Sequence, residues 1–303
     1  MLFPSSGVEV FPLWPLLVAF AVSFCSSLGG VSGAFLLLPY QVSVLGFTGP
    51  AVSSTNLVFN IVAIPSGIYR FVREGKMLWP LTAVMVGGLM PGVTLGAYIR
   101  LRLLPDPRMF KLFVGSVLLY IGGRLVWDIV STFRKKEQKP AASGKKPDAG
   151  TRIRTTHVGL TRMSFSYGTE THSFNPLWIL LLVIVVGIMG GAYGIGGGAI
   201  MAPILVSVFR LPVHTITGAT LTSTFATSVI GVAVYTWVAP LFNTTGESTT
   251  PDLLLGGLLG LGGLAGIYLG ARLQKHVPPQ VIKILLAAIL LFVALRYVLV
   301  FFL

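Results

Sequence analysis

The sequence predicts an all-α polytopic membrane protein made of two inverted-topology repeats, each a short broken, re-entrant-like helix hairpin followed by three transmembrane helices. Three observations predict this. The chain of 303 residues is 54% hydrophobic and 10% charged, with a mean hydropathy of +0.84, too apolar to face water. Runs such as Pro176–Ala192, Val213–Pro240, Leu253–Gly270 and Val281–Leu303 are long enough as helices to cross a hydrocarbon core about 30 Å thick at roughly 1.5 Å per residue. The two halves also match in register at an offset of 164 residues, counted from Pro39 to Pro203. That register pairs Gly30 with Gly194, Gly33 with Gly197, Ser53 with Thr217, Asn56 with Thr220 and Leu57 with Leu221.

Barrel-type alternation is missing from the apolar runs, so the spans read as helices. In the first half, taken as residues 1–132, the hairpin is Phe11–Leu45 and the spans are Pro50–Phe71, Met77–Leu101 and Pro107–Ser131. In the second, residues 175–303, the hairpin is Asn175–Phe209 and the spans are Val213–Val238, Leu253–Leu273 and Pro278–Phe302. A hairpin returns to the side it left, so each half crosses an odd net number of times and the halves have opposite orientations. Gly88, Gly92, Gly96 and Ala97 repeat as Gly262, Gly266, Gly270 and Ala271 at an offset of 174 residues, which places the insertion in the Phe242–Thr250 loop. Small residues at every fourth position line one helix face and allow close helix packing.

The net charge of +13 suggests nucleic acid in a soluble protein, but here the charges sit at span ends, and nucleic acid is excluded as a partner. Residues 133–174 hold nine basic residues (Arg134, Lys135, Lys136, Lys139, Lys145, Lys146, Arg152, Arg154 and Arg162) against Glu137, Asp148 and Glu170. With Pro140, Gly144, Pro147 and Gly150, this stretch reads as a solvated, cytoplasmic linker. The loops Arg70–Lys76, Arg210–His214 and Arg272–Lys283 then fall inside, while Ala239–Asp252, with no Lys or Arg, falls outside, as do both termini. The Arg100, Arg102, Arg108 and Lys111 loop disagrees with this orientation. The Asn243-Thr244-Thr245 sequon agrees with it. Met1–Val10 lacks a basic n-region and includes Glu9, so the mature chain is expected to keep its first helix. Cys25 is the lone cysteine, which excludes an intrachain disulfide or a thiolate metal cluster, and no cofactor is expected.

The chemistry concentrates where the hairpins break. Gly190-Gly191-Ala192-Tyr193-Gly194-Ile195-Gly196-Gly197-Gly198 interrupts an apolar run, and non-helical backbone at membrane depth survives only inside protein or beside a wet cavity. The break frees N–H groups and the positive end of the helix starting near Ala199. Gly29-Gly30-Val31-Ser32-Gly33 aims the helix starting near Ala34 at the same place from the other side. Two positive helix ends with no carboxylate nearby describe a site for a small oxyanion. Behind them, Ser53, Asn56 and Asn60 share one helix face, and Thr217, Thr220 and Thr224 the corresponding face of the other half. The expected anion ligands are therefore Gly30, Ser32, Gly33, Ser53, Asn56, Asn60, Gly194, Gly196, Gly197, Gly198, Thr217, Thr220 and Thr224. Every acidic residue lies at or beyond a span end, so no carboxylate is placed to relay protons through the bilayer. At about 2.3 kcal/mol per charge per 100 mV, voltage alone drives a dianion outward by roughly 4 to 5 kcal/mol.

These residues match a known pattern. The Gly194, Gly196, Gly197, Gly198 and Pro203 stretch with its Thr217–Thr224 ladder, and the echo at Gly30, Gly33, Pro39 and Ser53–Asn56, resemble the TauE/SafE sulfite exporter family. The resemblance implies a transporter and not an enzyme, in the bacterial plasma membrane, exporting sulfite, thiosulfate or an organosulfonate such as sulfoacetate. Its partners would be that anion, the lipid bilayer and a second copy of the chain. The first hairpin departs from the pattern, with Ser32 and Ala34 opposite Gly196 and Gly198. Two alternatives compete: an anion channel of the same fold, and an intramembrane serine protease using Ser32 of Gly30-Val31-Ser32-Gly33. The protease lacks a base, because His157, His172, His214 and His276 all lie outside mid-span.

Overall fold

The structure, a computed structural model, describes every residue except 1, 4, 29–32, 105, 139–152, 160, 168–169, 210, 212, 243–247, 274–278 and 303. The protein is a polytopic all-α membrane protein, with six helical segments long and apolar enough to span a bilayer among the described residues. The first half runs α1 (Leu13–Leu28), α2 (Ala34–Ser43), α3 (Ala51–Ala63), α4 (Pro65–Arg73), α5 (Trp79–Arg102) and α6 (Pro107–Gln138). The second runs α7 (Pro176–Tyr193), α8 (Gly198–Ser207), α9 (Val213–Ala233), a π-helical turn (Val234–Val238), α10 (Ala239–Phe242), α11 (Leu253–Leu273) and α12 (Pro279–Phe302).

Helices form within both expected hairpin segments, α1 and α2 within Phe11–Leu45 and α7 and α8 within Asn175–Phe209. The expected first span is divided into α3 and α4 at Pro65, whose ring nitrogen has no hydrogen to continue the ladder. In the second half α9 passes into the π turn, where the Ala239 N–H reaches back to the Val234 carbonyl. The wider turn carries Tyr235, which is fully buried.

Packing between the halves is exchanged. Helix α1 packs along α11, and its counterpart α7 packs along α5; α3 meets α11 as α9 meets α5, and α6 lies against α12. The small-residue stripes make these crossings. A Cβ on Gly92 would stand 2.8 Å from the Gly187 Cα, and one on Gly266 would stand 2.9 Å from the Phe24 nitrogen. Gly92→Leu or Gly266→Leu is therefore expected to lower the thermal midpoint in detergent, since overpacking of this kind costs about 1–3 kcal/mol. Gly87→Ala, which faces open space, is expected to leave it unchanged or raise it.

Two expectations need correction. The linker is not solvated throughout: α6 continues to Gln138, and β1 (Ile153–Val158), β2 (Met163–Tyr167) and β3 (Glu170–Phe174) form an antiparallel sheet in that order. Its inner face buries Phe165, Tyr167 and Phe174 in the hydrophobic core, and the Ile153 N–H donates to the Gly75 carbonyl at the α4–α5 turn. The alternation of Met163, Phe165 and Tyr167 explains why this part folds onto the bundle. At that turn Arg70 and Lys76 bracket Glu74 at 2.8 and 2.7 Å. The hydrogen bond from Arg70, then that from Lys76, holds the Glu74 carboxyl below its ordinary range.

The second correction concerns Arg100, grouped by sequence with the basic loop on the outer side. It is fully buried near the end of α5, donating to the Thr48 carbonyl at 3.1 Å and to the Leu104 carbonyl, with its guanidinium 3.8 Å above the Phe110 ring. Arg100→Ala is expected to unfold the protein at lower temperature, because charge-assisted hydrogen bonds of this kind contribute about 1.5–3 kcal/mol each. Arg100→Lys is expected not to rescue it, since one ammonium cannot span both carbonyls and stack on the ring.

Candidate functional site

Helix α7 ends at Gly194, whose φ of +82° is left-handed, and Gly196 repeats that conformation at +66°. Glycine reaches this region without the Cβ penalty. The chain then turns into α8, with Gly197 at its N-cap. In the first half α2 starts in the same way, with Gly33 as N-cap. Residues Gly30 and Ser32, expected as ligands, lie outside the described residues, as do His276 and the Asn243 sequon.

Side chains from other helices engage four carbonyl oxygens of the second break. Tyr235 donates to Gly191 at 3.0 Å, Ser53 to Ala192 at 3.0 Å, Asn56 to Gly194 at 2.9 Å and Asn60 to Ile195 at 3.1 Å. The Gly190 carbonyl accepts the N–H groups of Gly194 and Ile195. The carbonyls of Gly190, Gly191, Ala192, Gly194 and Ile195 are thus each engaged by a neutral donor. The Leu36 N–H in the first turn of α2 reaches the Gly33 carbonyl at 3.1 Å, and the starts of α2 and α8 are the electropositive ends of the two short helices.

Asn56 joins the two breaks. Its amide donates to the Ala34 carbonyl at 3.0 Å in the first hairpin and to Gly194 in the second, while its oxygen accepts from Gln41 at 3.2 Å. Tyr193 adds a second tie, donating to the Phe35 carbonyl at 2.7 Å. All of these groups are buried. The close fit also requires Gly194, because a Cβ there would lie 2.7 Å from the Ser53 Cα.

The structure therefore brings together Gly33, Ser53, Asn56, Asn60, Gly194, Gly196, Gly197 and Gly198. Thr224 joins them, its Cγ2 lying 2.8 Å from where a Gly196 Cβ would be, and the Thr220 carbonyl faces Gly198. The Thr220 and Thr224 hydroxyls donate to carbonyls of their own helix, those of Thr217 and Thr220, at 3.0 and 2.8 Å. Thr217 is half-buried one turn nearer the start of α9, where its carbonyl accepts the Thr220 hydroxyl. His157 and His172 lie in β1 and β3, and His214 opens α9.

Sequence reasoning missed Tyr193, Tyr235 and Gln41 as ties. It also missed two hydroxyls that face the breaks: Ser23 of α1, against Gly33, and Ser228 of α9, against Gly196. The aromatic ties carried a signal, since a buried phenol seeks a hydrogen-bond partner. Ser23 and Ser228 carried none, because a serine in an apolar helix ordinarily bonds back to its own backbone.

A polytopic helical membrane protein with two short helix hairpins broken at glycine and tied together in its interior belongs to the class of membrane transporters with discontinuous helices. The chain belongs to the sulfite exporter TauE/SafE family, whose pattern matches residues 16–297. It is 23% identical over 288 residues to the probable membrane transporter protein YjnA of Bacillus subtilis (strain 168), covering 93% of this chain and 98% of that one. It is 25% identical over 282 residues to a probable membrane transporter protein of Xylella fastidiosa (strain Temecula1 / ATCC 700964), covering 91% and 92%. No solved structure matches.

Proposed function

We propose that this chain is a secondary transporter that exports a small sulfur oxyanion or organosulfonate, such as sulfite, thiosulfate or sulfoacetate, across a bacterial plasma membrane. The anion binds at the midplane between the two glycine breaks. The observation that carries this reading is the Asn56 amide, which holds Ala34 and Gly194 together and so sets the starts of both short helices beside each other. Backbone N–H groups at converging helix ends suit a small anion with several acceptor oxygens. The family's sulfite exporter description supports sulfur as the central atom.

The exchanged packing of α1 on α11 and of α7 on α5 supports a pair of inverted repeats related by a two-fold axis in the membrane plane. Rocking of one repeat against the other would expose the shared site to each side in turn. The burial of Arg100 takes one charge from the loop that opposed the assigned orientation, and so favours a cytoplasmic 133–174 segment.

Flux of labelled sulfite, thiosulfate, sulfoacetate, sulfate and chloride into proteoliposomes under an imposed potential tests the proposal. Saturable flux of a sulfur anion, faster toward the positive side, is expected. Flux rising linearly with concentration would indicate a channel, and chloride flux without sulfur-anion flux would overturn the substrate.

A further inference from the structure

Most hydroxyls in the described parts of α1 and α9 are spent on their own helix. In α1, Ser26 donates to Val22 at 2.7 Å and Ser27 to Phe24 at 3.0 Å. In α9, Thr222, Ser223, Thr224 and Thr227 donate to carbonyls three or four residues earlier. Ser23 and Ser228 do not. Both are completely buried, and neither hydroxyl has a hydrogen-bond partner among the described residues.

Each lies against a glycine at one of the two breaks. The Ser23 Oγ lies 2.8 Å from where a Cβ on Gly33 would be, and the Ser228 Oγ lies 3.3 Å from where one on Gly196 would be. Gly33 is the N-cap of α2, and Gly196 immediately precedes the N-cap of α8. Each broken hairpin thus has a buried hydroxyl, without a partner among the described residues, packed against a glycine at the start of its short helix so closely that a Cβ on that glycine would crowd it or its neighbours. A buried hydroxyl without a partner costs free energy, so one beside each break points to a group that arrives later and satisfies both.

Resting on the anion-transport reading above, we infer that the Ser23 and Ser228 hydroxyls, with the Phe35 N–H of α2 and the first-turn N–H groups of α8, are the anion's ligands. Asn56 and Asn60 instead hold the backbone that presents those ligands. This division follows from the donors: both Asn56 amide hydrogens go to carbonyls of the two hairpins, whereas neither serine O–H has an acceptor among the described residues. Hydroxyl and amide donors alone select by oxygen number and placement, which suits a compact oxyanion over chloride, and a hydroxyl also accepts the proton of a hydrogen-bearing oxyanion.

The test compares sulfite flux and thermal unfolding for the unmodified protein, Ser23→Ala, Ser228→Ala and the control Thr82→Ala, whose hydroxyl bonds the Leu78 carbonyl of its own helix. Each serine variant is expected to raise the half-saturating sulfite concentration about tenfold. Its thermal midpoint should hold or rise, since an unsatisfied hydroxyl has been removed, but the midpoint increase that sulfite gives the unmodified protein should shrink. Thr82→Ala is expected to leave half-saturation unchanged. Unchanged half-saturation in both serine variants, with normal sulfite transport by the unmodified protein, overturns the ligand assignment and leaves the transport reading standing. A midpoint that falls without sulfite in both variants also overturns it, because the hydroxyls are then structural. Absence of sulfur-anion flux in the unmodified protein overturns the transport reading, and this assignment with it.

Discussion

Substitution of Asn56 by leucine is expected to abolish anion flux and lower the thermal midpoint of the purified protein. Leucine fills the same volume but removes both donors, so the buried carbonyls of Ala34 and Gly194 and the Gln41 amide lose their partner together. An unsatisfied buried group costs about 1–3 kcal/mol in water-soluble proteins, and interhelical hydrogen bonds within membranes average about 0.6 kcal/mol. The combined loss of about 1–4 kcal/mol is enough to let the two breaks separate. Asn56→Asp distinguishes a tie from a substrate ligand: it keeps the acceptor and removes the donors, so it should be as damaging to stability as leucine. Unchanged midpoints with altered sulfite affinity would place Asn56 against the substrate. Thermal unfolding with and without sulfite, alongside flux, reads both outcomes.

Gly194→Ala is expected to have the next largest effect. The position holds a φ of +82°, where an L side chain costs about 1–2 kcal/mol. The new methyl also meets backbone that cannot move aside, with the Ser53 Cα at 2.7 Å. Loss of flux with a clear fall in midpoint is expected. Gly257→Ala is the contrast: it lies in α11 with nothing within 4 Å, so alanine should stabilise the helix by about 0.5–1 kcal/mol. Gly197→Ala falls between the two, because its new methyl meets the end of the flexible Leu89 side chain. Equal effects at Gly194 and Gly257 would show that the tight turn is not what the glycine provides.

The membrane fold was legible because its determinants are coarse: long apolar runs, glycine interrupting two of them, and small residues every fourth position. The stripe of Gly88, Gly92 and Gly96 meets α7, and that of Gly262, Gly266 and Gly270 meets α1, as the spacing alone implies. Orientation of single polar groups was less legible. Thr220 and Thr224 share the expected face, yet their hydroxyls turn back to the α9 backbone, a choice set by side-chain rotation. The burial of Arg100 depends on carbonyls of Thr48 and Leu104 and on the Phe110 ring, brought together only by the tertiary fold. The basic composition of residues 133–174 outweighed the short alternating strands within it, whose stability comes from packing Phe165 and Phe174 on the bundle.

The most direct measurement is the position of the bound anion: a density map of the protein in lipid nanodiscs at saturating sulfite, compared with one without it. The account predicts new density in the membrane interior, within hydrogen-bond distance of the N–H groups that begin α2 and α8. Sulfite density elsewhere, a cation between the hairpins, or both glycine breaks in water outside the bilayer would contradict it.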